Sequence, residues 1–169
     1  TKTKILSGLQ CHKKLWFDLH DPKKKEHNWI LEKGFRFENI VRENYSKNYG
    51  KVLDLSGDWE DVVSKTMLGI KSNDIEVIFE GAFIYLDTLV RADVLIKNKK
   101  GWELLEIKSS TKLKDAHISD IAIQSFIVKK CGVNLTSVKL IHVNEDFTYT
   151  SDGNYKDLIN FENEITDEV

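Results

Sequence analysis

Proline occurs once in 169 residues, cysteine twice, methionine once and arginine three times against 22 lysines. Two thiols, Cys11 and Cys131, are too few for a disulfide framework or a four-cysteine metal site; the expectation is reduced thiols in a cytoplasmic protein. No apolar run approaches the length of a membrane span, and Thr1-Lys2-Thr3-Lys4-Ile5-Leu6 lacks the apolar core of a signal peptide. Neither internal repeats nor low-complexity tracts occur. A net charge of -2 excludes a protein that binds nucleic acid by being basic throughout.

That total is a cancellation. Residues 1–50 carry eleven basic and six acidic side chains, residues 51–143 thirteen of each, and residues 144–169 one against eight. With 41% hydrophobic residues the chain holds enough apolar material for one core of ordinary size.

Ser7-Gly8-Leu9-Gln10 matches a capping box and predicts a helix running to about His20, anchored by Leu9, Leu15, Trp16 and Leu19. Asp21-Pro22 ends it. A longer helix is predicted from Asn28 to Tyr49, with Ile30, Phe37, Ile40, Val41 and Tyr45 on its apolar side and Gly50 as its stop. A short helix near residues 60–69 precedes strands at 75–80 and 82–86. Leu89 to Lys97 and Trp102 to Lys108 form a hairpin around Asn98-Lys99-Lys100-Gly101. A helix from Ala116 to Cys131, closed by Gly132, and a strand from Ser137 to Val143 follow. The order predicts an α/β (α+β) fold, a central mixed β-sheet flanked by helices.

The hairpin carries the chemistry. If residues 98–101 are unpaired, Lys97 faces Trp102 and Asp93 sits opposite Glu106 on one face, with Cβ atoms about 5 Å apart. Lys108 projects from that face about 7 Å farther along, while Ala92, Val94, Ile96, Leu105 and Ile107 point to the other side. Two carboxylates this close raise each other's pKa, and a divalent cation removes that cost. Two carboxylates, one backbone carbonyl and waters suit Mg²⁺, which stabilises a phosphoryl transition state; a neighbouring lysine can orient or deprotonate water, or offset charge. On the hairpin alone, a patch of solvated cross-strand charges is the favoured reading. Glu38 lies among apolar positions of its helix and needs a partner, a site cation or a lysine. Gln124 interrupts Ile121-Ala122-Ile123-Gln124-Ser125-Phe126-Ile127 and must hydrogen-bond something, in a site or in the core.

Glu38, Asp93, Glu106-Ile107-Lys108 and Gln124, in this order, resemble the PD-(D/E)xK nuclease superfamily, in its RecB-like and CRISPR-associated branch. Leu6-Ser7-Gly8-Leu9-Gln10-Cys11-His12-Lys13-Lys14-Leu15-Trp16 is similar to the opening of those domains, and Gly34-Phe35-Arg36-Phe37-Glu38 to their glutamate-bearing helix. Ile141-His142-Val143-Asn144 and the acidic run beyond it resemble a bacterial family in which such a domain precedes further sequence. The resemblance covers residues 5–143 and implies a restriction-endonuclease-like core, with 144–169 an acidic extension packed on it or leading to another domain.

The resemblance further implies a Mg²⁺- or Mn²⁺-dependent deoxyribonuclease. Asp93, Glu106, the Ile107 carbonyl and Glu38 would be metal ligands, Lys108 the catalytic lysine, and Gln124 a positioning group. Val128 stands where the branch often has tyrosine. Cys11 matches the first iron–sulfur cysteine but the later three are absent, so either the chain never carries the cluster or the rest lies beyond Val169, and none is expected within residues 1–169. The implied partner is DNA, single-stranded or with free ends. Contacts would come from Lys13, Lys14, Lys112 and Lys114, and from Lys23 to Lys25, although any one of these runs taken alone reads first as a solvated face. A catalytically silent nucleic-acid-binding module, or an interaction domain of a larger protein, is the competing reading.

Overall fold

The computed structural model describes residues 1–22, 29–55, 59–150, 153–155 and 157–162. In chain order the elements are α1 (Lys2–Gln10), α2 (His12–His20), α3 (Trp29–Asn48), β1 (Lys51–Asp54), α4 (Trp59–Lys71), β2 (Ile75–Tyr85), β3 (Thr88–Lys97), β4 (Trp102–Lys108), α5 (Asp115–Lys130), β5 (Leu135–Val143) and β6 (Ile159–Glu162). The strands form one mixed sheet in sequential order, and the α/β class expected from the sequence holds.

Two pairs, β1–β2 and β4–β5, are parallel; the other neighbours are antiparallel. Parallel neighbours need a crossover, and α4 and α5 supply the two. Both crossovers step the same way across the sheet from strands of the same direction, so right-handed connection puts both helices on one face. The core follows this division. Val62 of α4 and Ile121, Ile127 and Val128 of α5 pack with Ile78, Leu95, Leu104, Val138 and Leu140. Phe37, Val41 and Tyr45 of α3 pack on the opposite face with Val77, Phe79, Val94, Ile96, Leu105 and Ile141.

The sheet is irregular at one place that matters for the site. Pairs Phe79↔Val94 and Gly81↔Ala92 leave Glu80 opposite Asp93, and Glu80 is left-handed, with φ 57°. Side-chain alternation breaks there. Val94 and Ile96 face α3, but Ala92 packs with Val90 on the α4/α5 side, not with Val94 as the strict alternation predicted. β2 is one strand through Gly81, not two. The buried Thr66 hydroxyl of α4 accepts the Ala82 N–H at 3.0 Å and donates to the Val62 carbonyl at 2.7 Å. Thr66→Val should therefore cost about 1–3 kcal/mol, the penalty of an orphaned buried N–H, read as a lower urea midpoint; a loss under a few tenths would mean water replaces the hydroxyl.

The amino terminus differs from its expectation. Ser7 lies inside α1, and its hydroxyl donates to Asp18 at 2.6 Å instead of capping a helix. The break falls at Cys11, which is extended (φ -169°, ψ 124°). Of the expected anchors, Leu9, Trp16 and Leu19 are exposed and Leu15 is half-buried; the Ser7–Asp18 bond ties α1 to α2. On α3, Ile30 is likewise exposed whereas Phe37, Val41 and Tyr45 are buried. β6 pairs antiparallel with β5, so part of the acidic tail joins the sheet. Lys23 to Lys25 and the expected helix start at Asn28 lie outside the described residues.

No helix among the described residues is long and apolar enough to cross a membrane.

Candidate active site

β3 and β4 pair in the register the loop length implies: Lys97↔Trp102, Ile96↔Glu103, Leu95↔Leu104 and Val94↔Leu105. The ladder stops there, one step short of Asp93 and Glu106. In place of a main-chain partner, the Ile107 N–H donates to Asp93 Oδ2 at 2.8 Å. Asp93 is thus fixed against the opposite strand by its side chain. A strand residue turns its N–H and C=O toward the same neighbour, so the Ile107 carbonyl also faces the Asp93 side, while its side chain packs toward α3.

Glu106 points to the other face, under α5, and is buried at 2% exposure. Lys108 Nζ donates to Glu106 Oε1 at 2.6 Å, and Gln124 Nε2 donates to Glu106 Oε2. Gln124 is fully buried, and its Oε1 takes no hydrogen bond. One turn earlier on the same side of α5, Asp120 accepts a second bond from Lys108 at 2.6 Å and one from Gln124 at 3.3 Å. Lys2 of α1 completes the group: its ammonium lies 2.6 Å from Asp120 and 3.5 Å from Glu106. His142, buried, is the β5 partner of Lys108 in the parallel ladder.

These contacts set the charge states. Burial and the neighbouring Glu106 push the Asp93 carboxyl well above the usual range, against the pull of the Ile107 N–H and of Lys108 and Lys2. Burial would raise Asp120 too, but Lys108 and Lys2 outweigh it and hold that carboxyl down at about 2. For Lys108, burial disfavours the ammonium, yet Glu106 and Asp120 raise its pKa above the ordinary lysine value. His117, on the same helix, is lowered by burial and then by Lys108 and Lys114.

Asp93, Glu106, Lys108 and Gln124 are brought together. Glu38 is not among them. Its partner is Arg42, one helical turn on, at 2.8–2.9 Å, and the same guanidinium binds Asp54 at 3.0 and 3.1 Å and Glu80 at 2.9 Å. The partner expected for Glu38 was a site cation or a lysine; an arginine within the helix satisfies it. Of the lysines expected at nucleic acid, Lys14 bonds Gln10 at 2.7 Å, Lys13 stands 5.9 Å over the Phe17 ring, Lys112 lies 3.9 Å from Glu145, and Lys114 is the N-cap residue of α5. All four are exposed.

Two site residues escaped the sequence reading. Asp120 was legible: it precedes Gln124 by four, so both lie on one helical side. Lys2 was not, since no local pattern joins residue 2 to residues 106 and 120.

Among the described residues no three Asp, Glu, His or Cys side chains converge closely enough to hold a metal ion unaided. Mg²⁺ asks for less, one or two carboxylates with the remaining positions filled by water. Asp93 beside Glu106 is a pair whose repulsion a cation would relieve, and the Ile107 carbonyl faces the same side; both Glu106 oxygens already accept, from Lys108 and Gln124, so a cation would take Glu106 as a ligand by displacing one of those bonds.

No family model matches the sequence. The chain is similar to the uncharacterized protein UU173 of Ureaplasma parvum serovar 3, at 24% identity over 139 residues; the match takes in 76% of the chain and 19% of UU173. The chain thus spans about a fifth of the length of that curated relative.

Proposed function

We propose that the chain is a divalent-cation-dependent deoxyribonuclease domain of the PD-(D/E)xK type, acting on single-stranded DNA or free ends. One observation carries the reading: Asp93 and Glu106 stand at the end of the β3–β4 ladder with Lys108 bonded to Glu106. Asp93, Glu106 and the Ile107 carbonyl would hold Mg²⁺ or Mn²⁺, which when bound supplies an acidified water and a Lewis acid for the phosphoryl oxygens.

The chain's own groups do the rest. The Ile107 N–H fixes the Asp93 carboxylate, and Gln124 fixes Glu106, leaving neither free to rotate away. Lys108, its pKa raised by Glu106 and Asp120, keeps its proton at working pH. Its part in this reading is to offset charge on the pentacoordinate phosphate and to orient water. The excess of basic side chains in residues 1–50 gives the domain a means of holding a polyanion.

The test is cleavage of labelled single- and double-stranded DNA with Mn²⁺. EDTA should abolish cleavage and re-added Mn²⁺ restore it, and Glu106→Ala should remain inactive in both. Equal cleavage by wild type and Glu106→Ala would sink the site. Salt-sensitive binding with no cleavage under any divalent cation would favour the silent binding module, a reading that draws on the engagement of Glu106 by Lys108 and Gln124.

A further inference from the structure

Two ammonium groups, not one, stand beside Glu106. Lys108 reaches it from the adjacent position of its own strand, and Lys2 arrives from α1. Asp120 joins them, accepting from Lys108 at Oδ2 and from Lys2 at Oδ1, each at 2.6 Å. The contacts form a closed ring, Glu106–Lys108–Asp120–Lys2, in which cations and anions alternate.

The ring is not sealed inside the protein. The Lys2 and Lys108 side chains keep 20% and 23% exposure, whereas Glu106 and Asp120 keep 3% and 10%. The anions form the buried side and the amines the accessible one. An ammonium carries three N–H donors. Lys108 spends two on carboxylates, and Lys2 spends one on a close contact. Each therefore has a donor left for an anion arriving from solvent. Surface lysines in water are flexible and lose rotamer freedom when they bind; here a buried carboxylate has already fixed both.

We propose that Lys2 is a second phosphate-contacting amine of the site and that Asp120 is the positioning residue holding Lys2 and Lys108 as a pair. This rests on the nuclease reading above and adds to it a two-amine seat for one phosphodiester. α1 then belongs to the site. The Ser7–Asp18 bond, which ties α1 to α2, helps fix the helix that delivers Lys2.

The experiment uses Lys2→Gln, Lys2→Arg, Asp120→Asn and the Lys2→Gln/Asp120→Asn double variant, each checked by thermal melting. Two quantities are read: cleavage kinetics with Mn²⁺, and binding of a short labelled oligothymidylate across a KCl series with Ca²⁺ in place of Mn²⁺. Lys2→Gln should lower kcat/KM about tenfold, the worth of one charge-assisted bond. It should also flatten the slope of log binding constant against log salt by about 0.7, one phosphate contact on a single strand. Lys2→Arg should restore the slope. Asp120→Asn should lower kcat more than tenfold, and adding Lys2→Gln to it should cost little more, since the amine has already lost its anchor.

A wild-type slope and wild-type kcat/KM in Lys2→Gln would overturn the proposal while leaving the nuclease reading intact. So would tighter binding in Lys2→Gln, which would make Lys2 an obstruction, or additive losses in the double variant. A wild type that neither cleaves nor binds the oligonucleotide sinks the nuclease reading, and this inference with it.

Discussion

Lys108→Met should reduce Mn²⁺-dependent cleavage by about 10²–10³-fold, the usual loss when one preorganised donor to a developing oxyanion is removed. The ammonium is held in place before substrate arrives, by 2.6 Å bonds to Glu106 and Asp120. No reorganisation is then needed as charge builds on the phosphate. Methionine keeps most of the side-chain volume and removes the charge together with its N–H donors. The loss should fall on kcat, with KM changing by a few-fold at most, because the interaction strengthens in the transition state. Two anions lose a partner in the variant, so melting must be followed in parallel. Lys2 still faces both of them, and a folded, inactive protein is the expected outcome. A folded variant with at least a third of wild-type kcat would remove Lys108 from the chemistry.

The largest stability effect is expected at Phe79. Its side chain is 1% exposed and belongs to the cluster between the sheet and α3, with Phe37, Val41, Val94 and Leu105. Arg42 lies 5.2 Å over its ring, the guanidinium that also gathers Glu38, Asp54 and Glu80. Phe79→Ala should cost about 3–5 kcal/mol, through lost transfer energy and the cavity left behind. For a chain of this size each kcal/mol lowers Tm by about 2–4 °C, so the melting temperature should drop by about 6–20 °C. Phe79→Leu, which refills most of the space, should recover over half of that. A loss below about 2 kcal/mol for alanine would show that α3 settles onto the sheet and closes the gap.

The hairpin register was legible because it depends on one local quantity, the number of unpaired residues in the loop, combined with strict alternation on β4. Gln124 was legible as an amide in an apolar helix. Glu38 was read correctly as a carboxylate in need of a partner, but the partner is four residues away in the same helix, a spacing the sequence displays. What failed depends on distance or on backbone strain. The Ser7–Gln10 pattern satisfies a capping rule, yet the Ser7 hydroxyl bonds Asp18 and the helix breaks only at Cys11. The left-handed residue is Glu80 itself; the neighbouring Gly81 marks an irregularity, which predicts a break between two strands, not the loss of alternation within one strand that moves Ala92 across the sheet. β6, four residues long in the acidic tail, has too short a pattern to separate from a loop.

The four residues joining β3 to β4 act at a distance. Asn98 Oδ1 accepts the N–H groups of Lys100 and Gly101, its own N–H donates to the Gly101 carbonyl at 2.8 Å, and its amide reaches Glu103 and Thr136. A Cβ on Gly101 would stand 2.4 Å from the Asn134 carbonyl oxygen. This loop is a spacer whose length sets the phase of the whole hairpin. One residue more or fewer, with β3 held in place, would turn Glu106 and Lys108 toward Phe37 and Val41 and bring Leu105 and Ile107 under Gln124. Natural variants of this chain should therefore change the composition of residues 99 and 100 freely and their number hardly at all. Insertions, when they occur, should come in pairs.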